Sequence, residues 1–189
     1  MRATTLLQRQ LTAINTILHD LAADLTRDEL TTRVMPHTNL LAFDLWHIAR
    51  TQDWAMNTLA RGIPEEIEHP RWQGRGMLAT FGIGVGFTES QADELAHTLA
   101  LADILAYADV VHQSLMGWLD TLPDEALDER PDVPAHLARY PVYLEAAMRE
   151  EVPWMYEQPP VWRCLAPALA HVRDHLAVMA LLKRQLRAG

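Results

Sequence analysis

The sequence predicts an all-α protein, a four-helix bundle with long crossover loops, and three observations lead to this prediction. Four segments place apolar residues at the three- and four-residue spacing of an amphipathic helix. Long stretches rich in proline or glycine separate them, as expected for connections. Neither an internal repeat nor a convincing β-hairpin pattern is found. A chain of 189 residues suits a single domain, residues 1–189.

The first two helices are predicted at residues 5–25 and 38–61. The second begins at Thr38 or Asn39, because either side chain can accept hydrogen bonds from the free N–H groups of a first helical turn. It stops before Gly62. One face of the first helix carries the apolar residues Leu7, Leu11, Ile14, Leu18, Leu21 and Leu25.

A third helix is predicted to follow Thr88 or Ser90 and to stop before Pro123. The fourth is predicted to begin near Pro167, since proline is tolerated in the first turn of a helix but not in its interior. It ends near Arg187, where basic side chains favour the negative end of the helix dipole. The apolar side of the third helix carries Leu95, Leu99, Ala102, Leu105, Val110, Leu115 and Leu119.

Two long connections, residues 62–88 and 123–160, separate the predicted helices. A short helix is predicted near residues 142–151. Long loops in a compact domain are often functional, but a bundle also needs crossovers wherever neighbouring helices run parallel. For most of their length the second interpretation is favoured.

Composition and charge exclude several classes of partner. The formal net charge is −9 and the chain has no basic cluster, so neither nucleic acid nor an anionic membrane is an expected partner. No run of about 18 apolar residues or signal peptide is recognised. The single cysteine, Cys164, cannot form an intramolecular disulfide. We therefore expect a cytoplasmic protein.

The pair His171 and His175 gives the strongest chemical signal. A spacing of four residues puts both imidazoles on one helical face, where they can bind one metal ion. Both border an apolar stripe, so the rings need a partner. A carboxylate or a backbone carbonyl could serve as well as a metal. His47, in the middle of the second helix, could be a third ligand, although for a lone histidine a satisfied core position is favoured.

Several motifs, in this order and spacing, resemble the DinB-like superfamily, named after DNA-damage-inducible proteins. Residues 45–54, Leu-Trp-His-Ile-Ala-Arg-Thr-Gln-Asp-Trp, resemble the first family motif, in which a bulky residue precedes a ligand histidine on the second helix. The similarity continues at Trp72, at residues 82–88 and at residues 107–111. It closes with His-Val-Arg-Asp-His at residues 171–175, which resembles the histidine pair on the last helix of the family.

The resemblance implies that His47, His171 and His175 bind one divalent metal ion, with zinc or nickel most suitable. Three protein ligands leave an open position, as in catalytic sites. Relatives include enzymes that move thiol cofactors such as bacillithiol or mycothiol. A metal-dependent thiol S-transferase or hydrolase is therefore implied, acting on a small molecule and using an external low-molecular-weight thiol. The resemblance also implies a homodimer.

Two other functions remain open at the level of sequence. One is a non-catalytic protein that binds metal or small molecules in a stress response. The other is a purely structural bundle without metal. A di-iron carboxylate bundle is rejected, because the fourth helix has no glutamate.

Further residues near these motifs are candidates for the site. Arg50 and Asp53 lie inside the first motif and are the best candidates for the binding pocket. Asp44 and Arg50 flank the first ligand by about one turn and could orient it, but a surface ion pair is the favoured interpretation. His112 is held as a reserve fourth ligand. Residues 82–86 are interpreted as an extended loop that can border the metal cleft, not as a phosphate loop.

Overall fold

A computed structural model describes residues 1–188, which form helices and connecting segments without any strand. The all-α class is as predicted. Two π-helical segments lie at Trp54–Arg61 and Pro167–His171. In chain order the α-helices are α1 (Ala3–Ala22), α2 (Arg27–Thr31), α3 (Leu41–Asp53), α4 (Glu89–Thr98), α5 (Leu101–Thr121), α6 (Val133–Leu137), α7 (Ala146–Glu151), α8 (Val161–Ala166) and α9 (Val172–Ala188). Short 3₁₀ turns lie between them at Glu66–Glu68, Pro70–Trp72, Ala79–Phe81, Asp124–Asp128, Pro141–Leu144 and Pro153–Glu157.

The long helices α1, α3, α5 and α9 share one apolar core. α1 and α3 each contact both α5 and α9, which is compatible with the predicted four-helix bundle. The buried face of α1 carries Leu11, Ile14 and Leu18, at the spacing of an amphipathic helix. Burying each such side chain contributes roughly 1.5–3 kcal/mol of transfer free energy. On α5 the buried residues are Ile104, Tyr107, Ala108, Val111, Leu115 and Leu119.

α3 lies in the interior of the molecule. All its residues from Leu41 to Asp53 are buried, because α2, α4, α5 and α9 all contact it. The helix continues through the π-helical segment and ends at Gly62, as predicted. Polar side chains on α3 therefore need partners within the protein.

The predicted third helix is two helices in the structure, α4 and α5, which meet at an angle of 94°. Leu99 and Ala100 are extended between them. The break lets α4 pack on α2 and α3 while α5 runs along α1 and α3. Arg27 donates hydrogen bonds to the carbonyl groups of His97 and Leu99, so these two acceptors at the break have partners. No proline or glycine marks it in the sequence.

The last long helix begins at Val161 and not near Pro167 as predicted. α8, the π-helical segment and α9 form one continuous helix. An interior proline lacks an N–H group and its ring clashes with the preceding turn. A π turn begins at this proline, where the N–H of Val172 donates to the carbonyl of Pro167. This segment contacts α3 and ends at His171, so the irregularity lies at the candidate site, as π turns often do.

By length and composition alone, the helix Val161–Ala188 could cross a membrane. The core helix of a soluble protein passes the same test. One face of this helix packs against α1 and α3, and its exposed residues include Arg173, Asp174 and Arg184. The helix is therefore weak evidence for a membrane span.

Candidate metal centre

His47 is fixed in the core through its Nδ1 atom. The residue is only 6% exposed, and Nδ1 lies 2.5 Å from the carbonyl oxygen of Ile83. Because a carbonyl oxygen can only accept, Nδ1 carries the proton and donates it. In the neutral ring the free lone pair is then on Nε2, which lies 2.9 Å from Nε2 of His171.

The structure brings His47, His171 and His175 together. Nε2 of His175 lies 3.2 Å from Nε2 of His171, and the three residues offer ligand atoms that all lie within 4.8 Å of one another. Zinc–nitrogen bonds of 2.0–2.1 Å at tetrahedral angles would place two ligand nitrogens roughly 3.3 Å apart. The donor atoms, their number and their separations therefore fit one divalent ion.

Asp44 contacts the ring of His175 at Nδ1, the nitrogen that does not face the other histidines. Its Oδ1 lies 3.2 Å from Nδ1 of His175 and accepts a second hydrogen bond from Asn39, at 2.8 Å. A carboxylate in this position fixes the orientation of a ligand histidine and increases its basicity. The Asp44 side chain is 3% exposed, so the prediction of a surface ion pair with Arg50 is wrong.

Burial favours the neutral form of His47 and His171. Burial, and then the neighbouring charge of His175, lowers the pKa of His47 to about 3. The same two causes, in the same order, lower the pKa of His171. Neutral imidazole is the form that binds a metal ion, so at neutral pH the lone pairs are available.

The loop that contains Gly82 and Gly84 places the carbonyl group of Ile83 within hydrogen-bond distance of His47. Gly82 has φ +54° and ψ −127°, a conformation that other residues rarely adopt. A Cβ added to Gly84 would lie 2.8 Å from the ring of Phe43. Glycine at position 84 therefore allows the loop to pack against α3 more closely than a residue with a side chain would. Ile83, Gly84 and Val85 line the cleft beside the histidines, as predicted for this loop.

Arg50 and Asp53, the predicted pocket residues, are buried in a hydrogen-bonded network. Among the described residues, neither lines the cleft. Nε of Arg50 donates to the carbonyl of Gly82, at 2.9 Å. Gly82 precedes the residue that orients His47, so Arg50 supports the ligand indirectly. The other acceptors of the guanidinium are Asp53 (3.2 Å), Glu65 (2.5 Å), Tyr107 (2.9 Å) and Tyr143 (3.2 Å).

The network has one guanidinium for two carboxylates, and its stability should therefore depend on pH. Burial, together with the charge of Glu65, raises the pKa of Asp53 from 3.8 to about 6. The folded protein thus binds this proton more tightly than the unfolded chain. The contribution of Asp53 is greatest below about pH 4 and is lost as the pH rises to about 6.

Replacing Glu65 with glutamine removes the neighbouring charge. We therefore expect the free energy of unfolding to decline less between about pH 4 and pH 6 in Glu65→Gln than in the wild type. Urea titrations at several pH values, compared between the two proteins, measure this slope. Equal slopes would show that the charge of Glu65 does not raise the pKa of Asp53.

The histidines lie on a cleft of about 640 Å³. His171 is exposed, so the cluster is accessible from the cleft. The walls carry four aromatic side chains, those of Phe43, Trp54, Phe87 and Trp154, and the charged side chains Arg33, Glu89, Glu151 and Arg163.

Sequence reasoning missed most of these lining residues. Glu151 and Trp154 come from residues 128–160, where the family resemblance is weakest, and tertiary packing places them on the cleft lining. For Arg163 a signal existed, because it precedes His171 by two helical turns. His112, the reserve ligand, is outside the metal-competent cluster found among the described residues. Cys164 is buried.

The comparison with protein families agrees with the geometry. A model of the DinB superfamily matches residues 10–179. This range includes parts of all four long helices, the three histidines and Asp44. No curated protein matches the chain. Because the family match spans nearly the whole chain, the protein belongs to the DinB superfamily.

Proposed function

We propose that the chain is a metal-dependent transferase or hydrolase that acts on a small molecule bound in the cleft. His47, His171 and His175 would hold one divalent ion, with zinc and nickel the most suitable. The observation that carries this proposal is the convergence of one ring nitrogen from each of the three histidines, within 4.8 Å of one another, on an accessible cleft. Three ligands leave a position for water or substrate, as in catalytic sites.

An ion held by three neutral imidazoles would keep its full charge and could lower the pKa of a bound thiol or water. The thiol in a transferase reaction would come from outside the chain. Burial raises the pKa of Cys164 to about 12, so this residue stays protonated at neutral pH and cannot supply a thiolate. A low-molecular-weight thiol is therefore the proposed co-substrate.

The residues around the histidines prepare the cleft for this chemistry. Ile83 and Asp44 accept hydrogen bonds from the Nδ1 atoms of two histidines, which keeps the lone pairs on Nε2. Phe43 stacks on His47, with 6.1 Å between ring centroids and 7° between planes. Phe43 and Trp54 both line the cleft, and their rings make part of its wall apolar, which limits the access of water.

Asp44→Ala should weaken zinc binding about 10- to 100-fold, because His175 loses the carboxylate that orients it. Competition with a chromophoric chelator measures the affinity. Asp109→Ala is the matched control, since Asp109 also pairs with a histidine, His19 at 2.7 Å, on other helices of the bundle. Equal affinities in Asp44→Ala and the wild type would contradict a supporting role for Asp44.

Catalysis is tested with zinc- and nickel-loaded protein. We expect a common small thiol, such as glutathione or cysteine, to bind, and we expect either its transfer to an electrophile or the hydrolysis of generic esters. Calorimetry and mass spectrometry of the products are the readouts, with His171→Ala as the metal-deficient control. No thiol affinity and no hydrolysis in the loaded wild type would favour the alternative, a non-catalytic metal-binding protein.

A further inference from the structure

Two arginines line the cleft, and only one of them is neutralised by residues that the structure describes. Arg33 lies 3.5 Å from Glu89 and 2.5 Å from Asp93, and it also donates to the carbonyl of Thr38. Within residues 1–188, Arg163 has neither an ion pair nor a side-chain hydrogen bond, although it lines the same cleft. Its guanidinium is therefore a cation available to a ligand.

An aromatic ring holds Arg163 in place. The guanidinium carbon lies 5.3 Å from the ring centroid of Trp154, which also lines the cleft. Such a contact orients the guanidinium without using its N–H donors. Those donors can then bind a carboxylate through two parallel hydrogen bonds.

The surface between Arg163 and the histidines is apolar. Arg163 and His171 belong to one continuous helix, and eight residues at 1.5 Å per residue separate them by roughly 12 Å along its axis. The lining residues of this helix between them are Ala166, Pro167 and Ala170. A ligand that reaches from Arg163 to the histidines therefore needs an apolar body.

The other charges of the cleft do not compete for this position. Glu151 also lines the cleft, but among the described residues it forms no ion pair with Arg163. His37 lies 3.6 Å from Glu89, within the group that already neutralises Arg33. The free positive charge therefore lies at the Arg163 end.

We propose that the cleft takes a small carboxylic acid with an apolar body, whose carboxylate binds Arg163 and whose other end approaches the three histidines. The assignment of the reacting end rests on the proposed function. The carboxylate subsite does not, because Arg163 needs no metal ion in order to bind an anion.

Calorimetric titration with octanoate and with octanamide, its uncharged analogue, tests the subsite in metal-free and in zinc-loaded protein. We expect the wild type to bind octanoate about tenfold more tightly than octanamide, with or without zinc. Arg163→Gln should remove this preference and leave octanamide binding unchanged. Arg163→Lys should restore part of it, because the charge remains but the paired donors are lost. Arg173→Gln, at an exposed arginine of α9, is the control for the change in net charge.

Absence of octanoate binding, equal affinity for octanoate and octanamide, or an unchanged preference in Arg163→Gln would each overturn the subsite. A preference for octanoate that depends on Arg163, in a protein that takes up no metal, would support the subsite and count only against the proposed metal chemistry. The two failures are therefore distinguishable.

Discussion

Replacing Arg50 with methionine should lower the free energy of unfolding by about 3–5 kcal/mol, because the change leaves buried carboxylates without their cation. Arg50, Asp53 and Glu65 are all fully or nearly fully buried, so water cannot replace the lost charge. The two tyrosine hydroxyls and the Gly82 carbonyl would also lose a donor.

Urea unfolding of Arg50→Met measures this loss of stability. Arg173→Met is the matched control, since Arg173 is exposed and its replacement should change the free energy by less than about 0.5 kcal/mol. If Arg50→Met cost no more than this control, the buried carboxylates would have to be satisfied without the guanidinium.

The second large effect should come from metal binding itself. A ligand that binds only the folded protein stabilises it by about 2.7 kcal/mol at a free concentration 100 times its Kd. We therefore expect zinc to raise the Tm of the wild type and a chelator to reverse the rise. His171→Ala should show neither response, since two ligands cannot hold the ion as tightly as three.

His171 is the best position for this test because it is the most exposed of the three histidines. Its loss should disturb the core less than the loss of buried His47. Differential scanning calorimetry with and without metal gives the shift. Equal stabilisation of the wild type and His171→Ala would show that the ion binds elsewhere.

The sequence predicted those parts of the fold that local patterns determine. α1 and the end of the α3 helix at Gly62 follow from apolar spacing and from a residue suited to helix termination. The break at Leu99 was not predictable from local sequence, because it satisfies packing against two different groups of helices. Pro167 was predicted to be a helix start, because local rules place proline in the first turn and do not anticipate a π turn inside a longer helix.

In the candidate site, too, some residues could be predicted from the sequence and others could not. The histidine pair could be found from its spacing, and His47 from the family resemblance. The partner of Asp44 could not be predicted, because His175 is 131 positions away in the chain. Arg50 and Asp53 were predicted as pocket residues from their motif. Their burial depends on Glu65 and on two tyrosines from distant segments.

Elemental analysis of purified, untagged protein tests the central proposal most directly, with His47→Ala, His171→Ala and the exposed His97→Ala analysed in parallel. A three-histidine centre predicts about one zinc or nickel ion per chain in the wild type and in His97→Ala, and little or none in the other two variants. A wild type that contains no metal and takes up none when zinc or nickel is added would contradict the centre. A metal content that survives both His47→Ala and His171→Ala would contradict it equally.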